Sequence, residues 1–277
     1  MVDAPSIRVG FVGLGRQGSP IAERIIAGGY PTRLWARRPE TLVRFADRAG
    51  VAATRTELGE SSDLVGVCVV ADDDVNDVVL GDDGVLAGMA PGAVLAVHST
   101  VRPSTCRHLA DVAQAHGVHV VDAPVSGGAA AAAAGRLLVI VGGDDSVVDR
   151  CRPVLATFGD PIVHVGPVGS GQLAKLVNNA LMAANLALVV DALAVGVAFG
   201  IDAGKLGEVL RHGSGRSYAG DVVTRTTSLE VLARGAGALL EKDVTLVVEA
   251  ARDAGADLGE LGRAAERGVD LLRRTGA

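Results

Sequence analysis

A chain of 277 residues with 26 Lys and Arg against 32 Asp and Glu carries a formal charge of -6, spread along its length. No basic block could neutralise a row of phosphates, so nucleic acid is not an expected partner. The length suits two modest domains, and a composition that is 49% hydrophobic but 3% aromatic, with 37 glycines, requires cores of Ala, Val and Leu with backbones packed closely.

Three cysteines, Cys68, Cys106 and Cys151, stand far apart without CxxC or histidine-spaced ligand patterns. They read as buried thiols in a reducing cytoplasm, and no metal site is expected. The N-terminus "MVDAPSIRVGFVGLG" enters a strand pattern at once and lacks a basic leader, a cleavable apolar run and an Ala-x-Ala site, so no signal peptide is expected.

In chain order, "SIRVGFV", "PTRLWA", "DLVGVCVV", "AVLAVHS", "VHVVDAP", "RLLVIVGG" and "PIVHVG" read as strands. Between them "SPIAERIIAGG", "PETLVRFADRAG" and "PSTCRHLADVAQAHG" read as helices. That alternation predicts a mostly parallel sheet with helices on both faces over residues 1–166. The alanine run Ala129 to Ala134 is expected to form a short helix. Beyond Val165 the strand pattern stops, and residues 167–277 read as all-helical, opening with a long helix over 169–200 and including a turn-rich "SGRSYAGD". The window Ala180 to Phe199 has the length of a membrane span, but it contains Asn185 and Asp191 and is diluted by Ala and Gly. It is read as a helix buried in protein, with no membrane partner.

Three motifs carry chemistry. "IRVGFVGLGRQGSPIAERI" sets Gly13, Gly15 and Gly18 in GxGxxG spacing between the first strand and the first helix, with Leu14, Arg16 and Gln17 completing the turn. Glycine there permits a tight turn, close backbone approach to a pyrophosphate and close helix–strand packing, which points to a dinucleotide. After the second strand, "LWARRPE" offers Arg37 and Arg38 where an acidic residue would hold the ribose hydroxyls of NAD. Two guanidiniums suit a 2′-phosphate and favour NADP(H) over NAD(H), the alternative being arginines on a solvated helix start. In "GPVGSGQLAKLVNN", Lys175 and Asn179 fall four residues apart on one helical face, with Asn178 near it. A lysine beside a hydride acceptor can exchange a proton with the forming alkoxide; the alternative is a snorkelling lysine on the first helical turn.

These stretches, together with "DAPVSGG" and "EKDVTLVVEAA", occur in the order and spacing of the β-hydroxyacid dehydrogenase family, which the chain resembles from about Ile7 to beyond residue 260. The resemblance implies an α/β N-terminal Rossmann domain, a long interdomain helix and an all-helical C-terminal domain for substrate and dimerisation. It implies a metal-free homodimer or homotetramer that interconverts a small β-hydroxy acid and its semialdehyde or keto acid, and the cysteine usage and N-terminal pattern add the expectation of a cytoplasmic location. Carried over by motif, Lys175 resembles the catalytic lysine, Asn179 and Asp243 stand on the substrate side, and Ser126, Gly127 and Gly128 resemble the loop that holds the substrate carboxylate. Thr100, Val69 and Val70 match cofactor-flanking positions, and Lys242 matches a lysine near the nicotinamide end. The chain departs from the family at Gln17, Ala36, Val70, Val97 and Asp191, where Met, Asn, Pro, Asp and Glu are usual. An imine-reducing enzyme of the same architecture and a non-catalytic dinucleotide-binding protein are the rival readings, both disfavoured by Lys175. His98, next to Ser99, is a candidate to line the site without a metal partner.

Overall fold

Strands and helices alternate up to residue 166 of the computed structural model, which describes residues 7–225 and 229–276. Residues 1–6, part of the stretch read for a leader, lie outside them. The order is β1 (Val9–Val12), α1 (Gly18–Ala27), β2 (Thr32–Trp35), a 3-10 segment (Pro39–Phe45), β3 (Gly50–Val51), α2 (Arg55–Glu60), β4 (Leu64–Val67), α3 (Asp72–Leu80) and α4 (Val85–Gly88). There follow β5 (Val94–Val97), α5 (Pro103–Gln114), β6 (His119–Asp122), β7 (Val125–Ser126), α6 (Gly128–Ala133), β8 (Leu137–Gly142), α7 (Asp145–Leu155) and β9 (Gly159–Gly166).

Among the described residues nine strands join one sheet in the order β3-β2-β1-β4-β5-β6-β8-β7, with β9 paired to β8. From β3 to β6 every pairing is parallel, with Val12 in register with both Trp35 and Val67, and Val67 with Val97. β8 runs antiparallel to β6 and β7 and parallel to β9. Every residue of β1, β4 and β5 is buried, as strands covered by helices on both faces require. Alternate side chains feed two cores: Phe11 packs with Ile21, Ile25, Leu155 and Phe158 on one face, while Val12 packs with Val67, Leu95 and Leu109 on the other. The strand order reverses at β1, with β2 on one side and β4 on the other, the switch point at whose carboxyl-end side open parallel sheets bind their ligands.

Two local readings are corrected. "PETLVRFADRAG" does not form an α-helix; Pro39–Phe45 is 3-10, and Phe45 is its one buried residue. The Thr41 hydroxyl donates to the Arg38 carbonyl, a local bond that competes with regular helix, and a single apolar anchor gives a longer helix nothing to pack. The "SGRSYAGD" stretch is only in part a turn, since α10 begins at Tyr218 and Ser217 caps it by accepting from the Gly220 N–H.

The chain divides into two compact units after Lys175. Within α8 (Ser170–Ala198), residues from Leu176 on belong to the second unit, followed by α9 (Ala203–His212), α10 (Tyr218–Thr224), α11 (Leu229–Leu232), a π-helical turn (Ala233–Gly237), α12 (Ala238–Asp253) and α13 (Gly259–Gly276). Its core sets Leu176, Ala180, Ala183, Ala184 and Leu186 of α8 against Leu240, Val244, Leu246 and Val247 of α12 and Ala265, Val269 and Leu272 of α13. Small residues bring backbones together: a Cβ at Gly268 would lie 1.9 Å from the Ala183 carbonyl oxygen. By length and composition α8 is apolar enough to cross a bilayer, yet it carries Asp191, paired with Arg267 of α13 at 2.7 Å.

Candidate active site

The β1–α1 turn is closed by backbone on two sides and open on the third. A Cβ at Gly13, whose φ is +96°, would sit 2.1 Å from the Cys68 carbonyl oxygen, and one at Gly18 would sit 1.8 Å from the Gly13 carbonyl oxygen. A Cβ at Gly15 would meet nothing within 4 Å. The first and third glycines thus seal the turn against β4 and α1, and the middle one leaves a free approach to the amide groups at the start of α1. That shape and donor set fit a pyrophosphate. Leu14 is buried beneath the turn, while Arg16 is exposed and Gln17 half-buried.

Past β2, Arg37 and Arg38 extend into solvent, with side chains 83% and 73% exposed; Arg37 lies 4.0 Å from Asp74 at the start of α3, and Arg38 lies 4.0 Å from Glu40. Both are available to an anion, and neither is fixed in place.

At the ends of β4 and β5 the loops are tied together. The Val69 N–H donates to the Ser99 hydroxyl at 2.8 Å, and Asp72 accepts from the Arg102 N–H and the Thr105 hydroxyl. Val70 is exposed, and Thr100 is half-buried between these tied residues. His98 does not line an open site. Its ring is buried, stacked on Phe11 at 6.0 Å and edge-on to Phe158 at 5.5 Å, with Nδ1 2.9 Å from the Ala123 carbonyl oxygen. Burial lowers its pKa to about 4, against the opposing pull of that carbonyl, so Nδ1–H donates and the ring stays neutral.

The start of α8 is held by Asp122, the fully buried last residue of β6. One carboxylate oxygen accepts from the Gly169 N–H and the other from the Gln172 N–H, both at 2.7 Å, supplying the acceptors that the first turn of a helix lacks. Burial still raises the Asp122 pKa, the backbone donors working against it. One turn beyond Gln172 stands Lys175, 7% exposed. Sequence reasoning passed over Asp122 and Gln172. The signals were present in the Val-Val pair of β6 ending in Asp shortly before the Ser126 loop, and in a lone Gln leading an apolar helix.

Ser126 closes β7, and Gly127 and Gly128 follow with φ of +127° and +73°, turning the chain into α6, the helix expected for the alanine run. In the second unit the Asn179 amide nitrogen donates to Asp243 at 2.6 Å, and its oxygen accepts from the Asn178 side chain at 3.0 Å. Asp243 is 4% exposed, and its other oxygen lies 2.9 Å from the Lys242 ammonium. The pair is therefore no surface ion pair: a buried carboxylate holds the Asn179 amide in one orientation.

The expected residues thus gather in two groups. The glycine turn, Val69 and Thr100 stand at the carboxyl ends of the three neighbouring parallel strands β1, β4 and β5, with Lys175 on the helix capped from a fourth, β6; Asn179, Lys242 and Asp243 form a bonded set in the helical unit. Among the described residues no group of three or more His, Cys, Asp or Glu is placed to hold a metal ion.

Comparison with known proteins accords with this geometry. The NAD-binding domain of 6-phosphogluconate dehydrogenase matches residues 8–166, and the NAD-binding domain of NADP-dependent 3-hydroxyisobutyrate dehydrogenase matches residues 169–276. A Pseudomonas aeruginosa NAD-dependent L-serine dehydrogenase is 34% identical over 217 residues, covering 78% of this chain and 72% of that protein. Among solved structures, Mycobacterium tuberculosis 3-hydroxyisobutyrate dehydrogenase with L-serine superposes with a TM-score of 0.85 at 27% identity, covering 98% of this chain and 95% of the other. Psf3 in complex with NADP+ and 2-OPP superposes with a TM-score of 0.80 at 28% identity, covering 96% and 94%. With two dinucleotide-binding matches spanning nearly its whole length and hydroxyacid dehydrogenases as its relatives, the chain belongs to the β-hydroxyacid dehydrogenase family of nicotinamide-dependent oxidoreductases.

Proposed function

We propose that the protein is an NADP-preferring reductase or dehydrogenase that interconverts a small β-hydroxy acid and its semialdehyde or keto acid, with Lys175 exchanging the proton. The observation that carries this reading is a nearly buried lysine one turn inside a helix whose start is capped by a buried carboxylate, followed one turn later by an amide locked by Asp243. A cation kept from water and held on a rigid turn suits a general acid/base; a merely snorkelling lysine needs no such anchoring. A nicotinamide dinucleotide, when bound, supplies or accepts the hydride.

In this reading the Gly13–Gly18 turn, with Leu14, Arg16 and Gln17, holds the pyrophosphate, Arg37 and Arg38 the 2′-phosphate, and Val69, Val70, Thr100 and Lys242 flank the cofactor. Ser126, Gly127 and Gly128 grip the substrate carboxylate by hydroxyl and N–H groups, while Asn179 and Asp243 orient its reacting end. Domains of 1–166 and 167–277, a cytoplasmic location and a homodimer or homotetramer complete the proposal. Val177, Leu181, Leu188 and Val195, about half exposed along α8, support an apolar contact between subunits, tested by sedimentation at low concentration. The substrates named for relatives, L-serine and 3-hydroxyisobutyrate, are the first acids to assay.

The test is cofactor turnover with these acids, with semialdehydes and glyoxylate, and with cyclic imines, comparing NADP(H) with NAD(H). Lys175→Ala is expected to lose about 100- to 10,000-fold in kcat. Turnover unchanged in that variant, or confined to imines, overturns the reading.

A further inference from the structure

Gln172 is fully buried, and both ends of its carboxamide are committed to one loop. Its oxygen accepts from the Val101 N–H at 3.1 Å, and its nitrogen donates to the Ser99 carbonyl at 2.9 Å. The two bonds bracket Thr100 from either side. The Gln172 backbone N–H is in turn held by Asp122, and the Ser99 hydroxyl accepts from Val69. The Gln172 side chain thus ties the end of β5 to the first turn of α8, its backbone N–H ties in β6 through Asp122, and the Ser99 hydroxyl extends the network to the end of β4. The amide is the group this requires, because one end must accept and the other donate: a carboxylate would face the Ser99 carbonyl, and a leucine would leave both backbone groups unpaired.

We propose that Gln172 is a positioning residue for proton transfer, fixing the rotation and depth of the α8 turn that carries Lys175 against the Ser99–Val101 loop. The proposal rests on the reading of Lys175 as the proton-exchanging group. Lys175 stands three residues on, about 4.5 Å along the helix axis, so any slip of that turn moves the ammonium with it. Displacements near 1 Å at a reacting centre cost about 100-fold in rate. A buried polar network that has only one fully bonded arrangement excludes such slips, which apolar packing of the same volume would tolerate.

The test combines exchange and kinetics. In the protein without cofactor, Gln172→Leu is expected to speed amide deuterium exchange over Ser99–Val101; unchanged exchange there overturns the proposal. With NADP+ and whichever of L-serine or 3-hydroxyisobutyrate turns over, Gln172→Leu is expected to lower kcat about 10- to 100-fold. KM for the acid should stay within about twofold, because the carboxylate loop is untouched. In a Lys175→Ala background the same change should cost nothing further, since a residue acting through the lysine has nothing left to position. Equal losses in both backgrounds would mark Gln172 as a general scaffold residue and refute the proposal. Wild-type turnover in Lys175→Ala alone removes the lysine reading and this one together, whereas lost turnover with additive effects removes only this one. Should Gln172→Leu not fold, Gln172→Glu, which keeps the acceptor for Val101, carries the same comparisons.

Discussion

Lowering the pH from 7.5 to 5 is expected to destabilise the fold through His98. The ring lies between Phe11 and Phe158, and its folded-state pKa falls to about 4 against an ordinary 6.5. A depressed folded pKa means that the unfolded chain takes up the proton first. The stability is therefore complete above pH 6.5, declines as pH falls, and is lost once pH passes below 4. A gap of about 2.5 units at about 1.4 kcal/mol per unit amounts to about 3 kcal/mol in full, of which about 2 kcal/mol is gone at pH 5. Urea titrations at pH 7.5, 6.5, 5.5 and 5 on the wild type and on His98→Leu measure it. The variant starts lower at pH 7.5, because it leaves the Ala123 carbonyl without its donor, but it lacks the His98 contribution to the slope. The difference between the two should narrow by about 2 kcal/mol by pH 5. Parallel curves would refute the neutral buried imidazole.

Three other outcomes follow from the geometry. Gly13→Ala should lower both the unfolding midpoint and NADPH affinity, because its Cβ would lie 2.1 Å from the Cys68 carbonyl oxygen, whereas Gly15→Val should weaken NADPH binding with little change in midpoint, since the space before Gly15 is open. Fluorescence titration and thermal unfolding separate the two. The double change Arg37→Ala with Arg38→Ala should reduce kcat/KM for NADPH about 10- to 100-fold and leave NADH within about threefold; equal losses for both cofactors would place the 2′-phosphate elsewhere. Native Cys106 and Cys151 should resist Ellman's reagent at pH 8 and react after unfolding, since both are buried and burial raises both thiol pKa values, that of Cys151 to about 12. Prompt native labelling at either position would contradict this.

The alternation of β-branched runs with helices, the glycine spacing after the first strand and the long apolar helix beyond residue 169 were legible in the chain alone, because each is a local pattern whose period or turn chemistry has one common structural answer. Lys175 and Asn179 were legible as neighbours for the same reason, since helical spacing alone puts them one turn apart. The 3-10 segment at Pro39–Phe45 was not, because one buried phenylalanine and a local threonine bond outweighed a helical-looking pattern. Nor was the burial of Asp243, which by spacing alone reads as half of a surface ion pair. The Asp122 cap, the Gln172 clamp and the neutral His98 ring depend on partners 25 to 73 residues away in the chain, and only the folded sheet and helix bring those partners within hydrogen-bond reach. Periodicity records which side of an element faces inward, and tertiary structure alone decides which polar group it meets there.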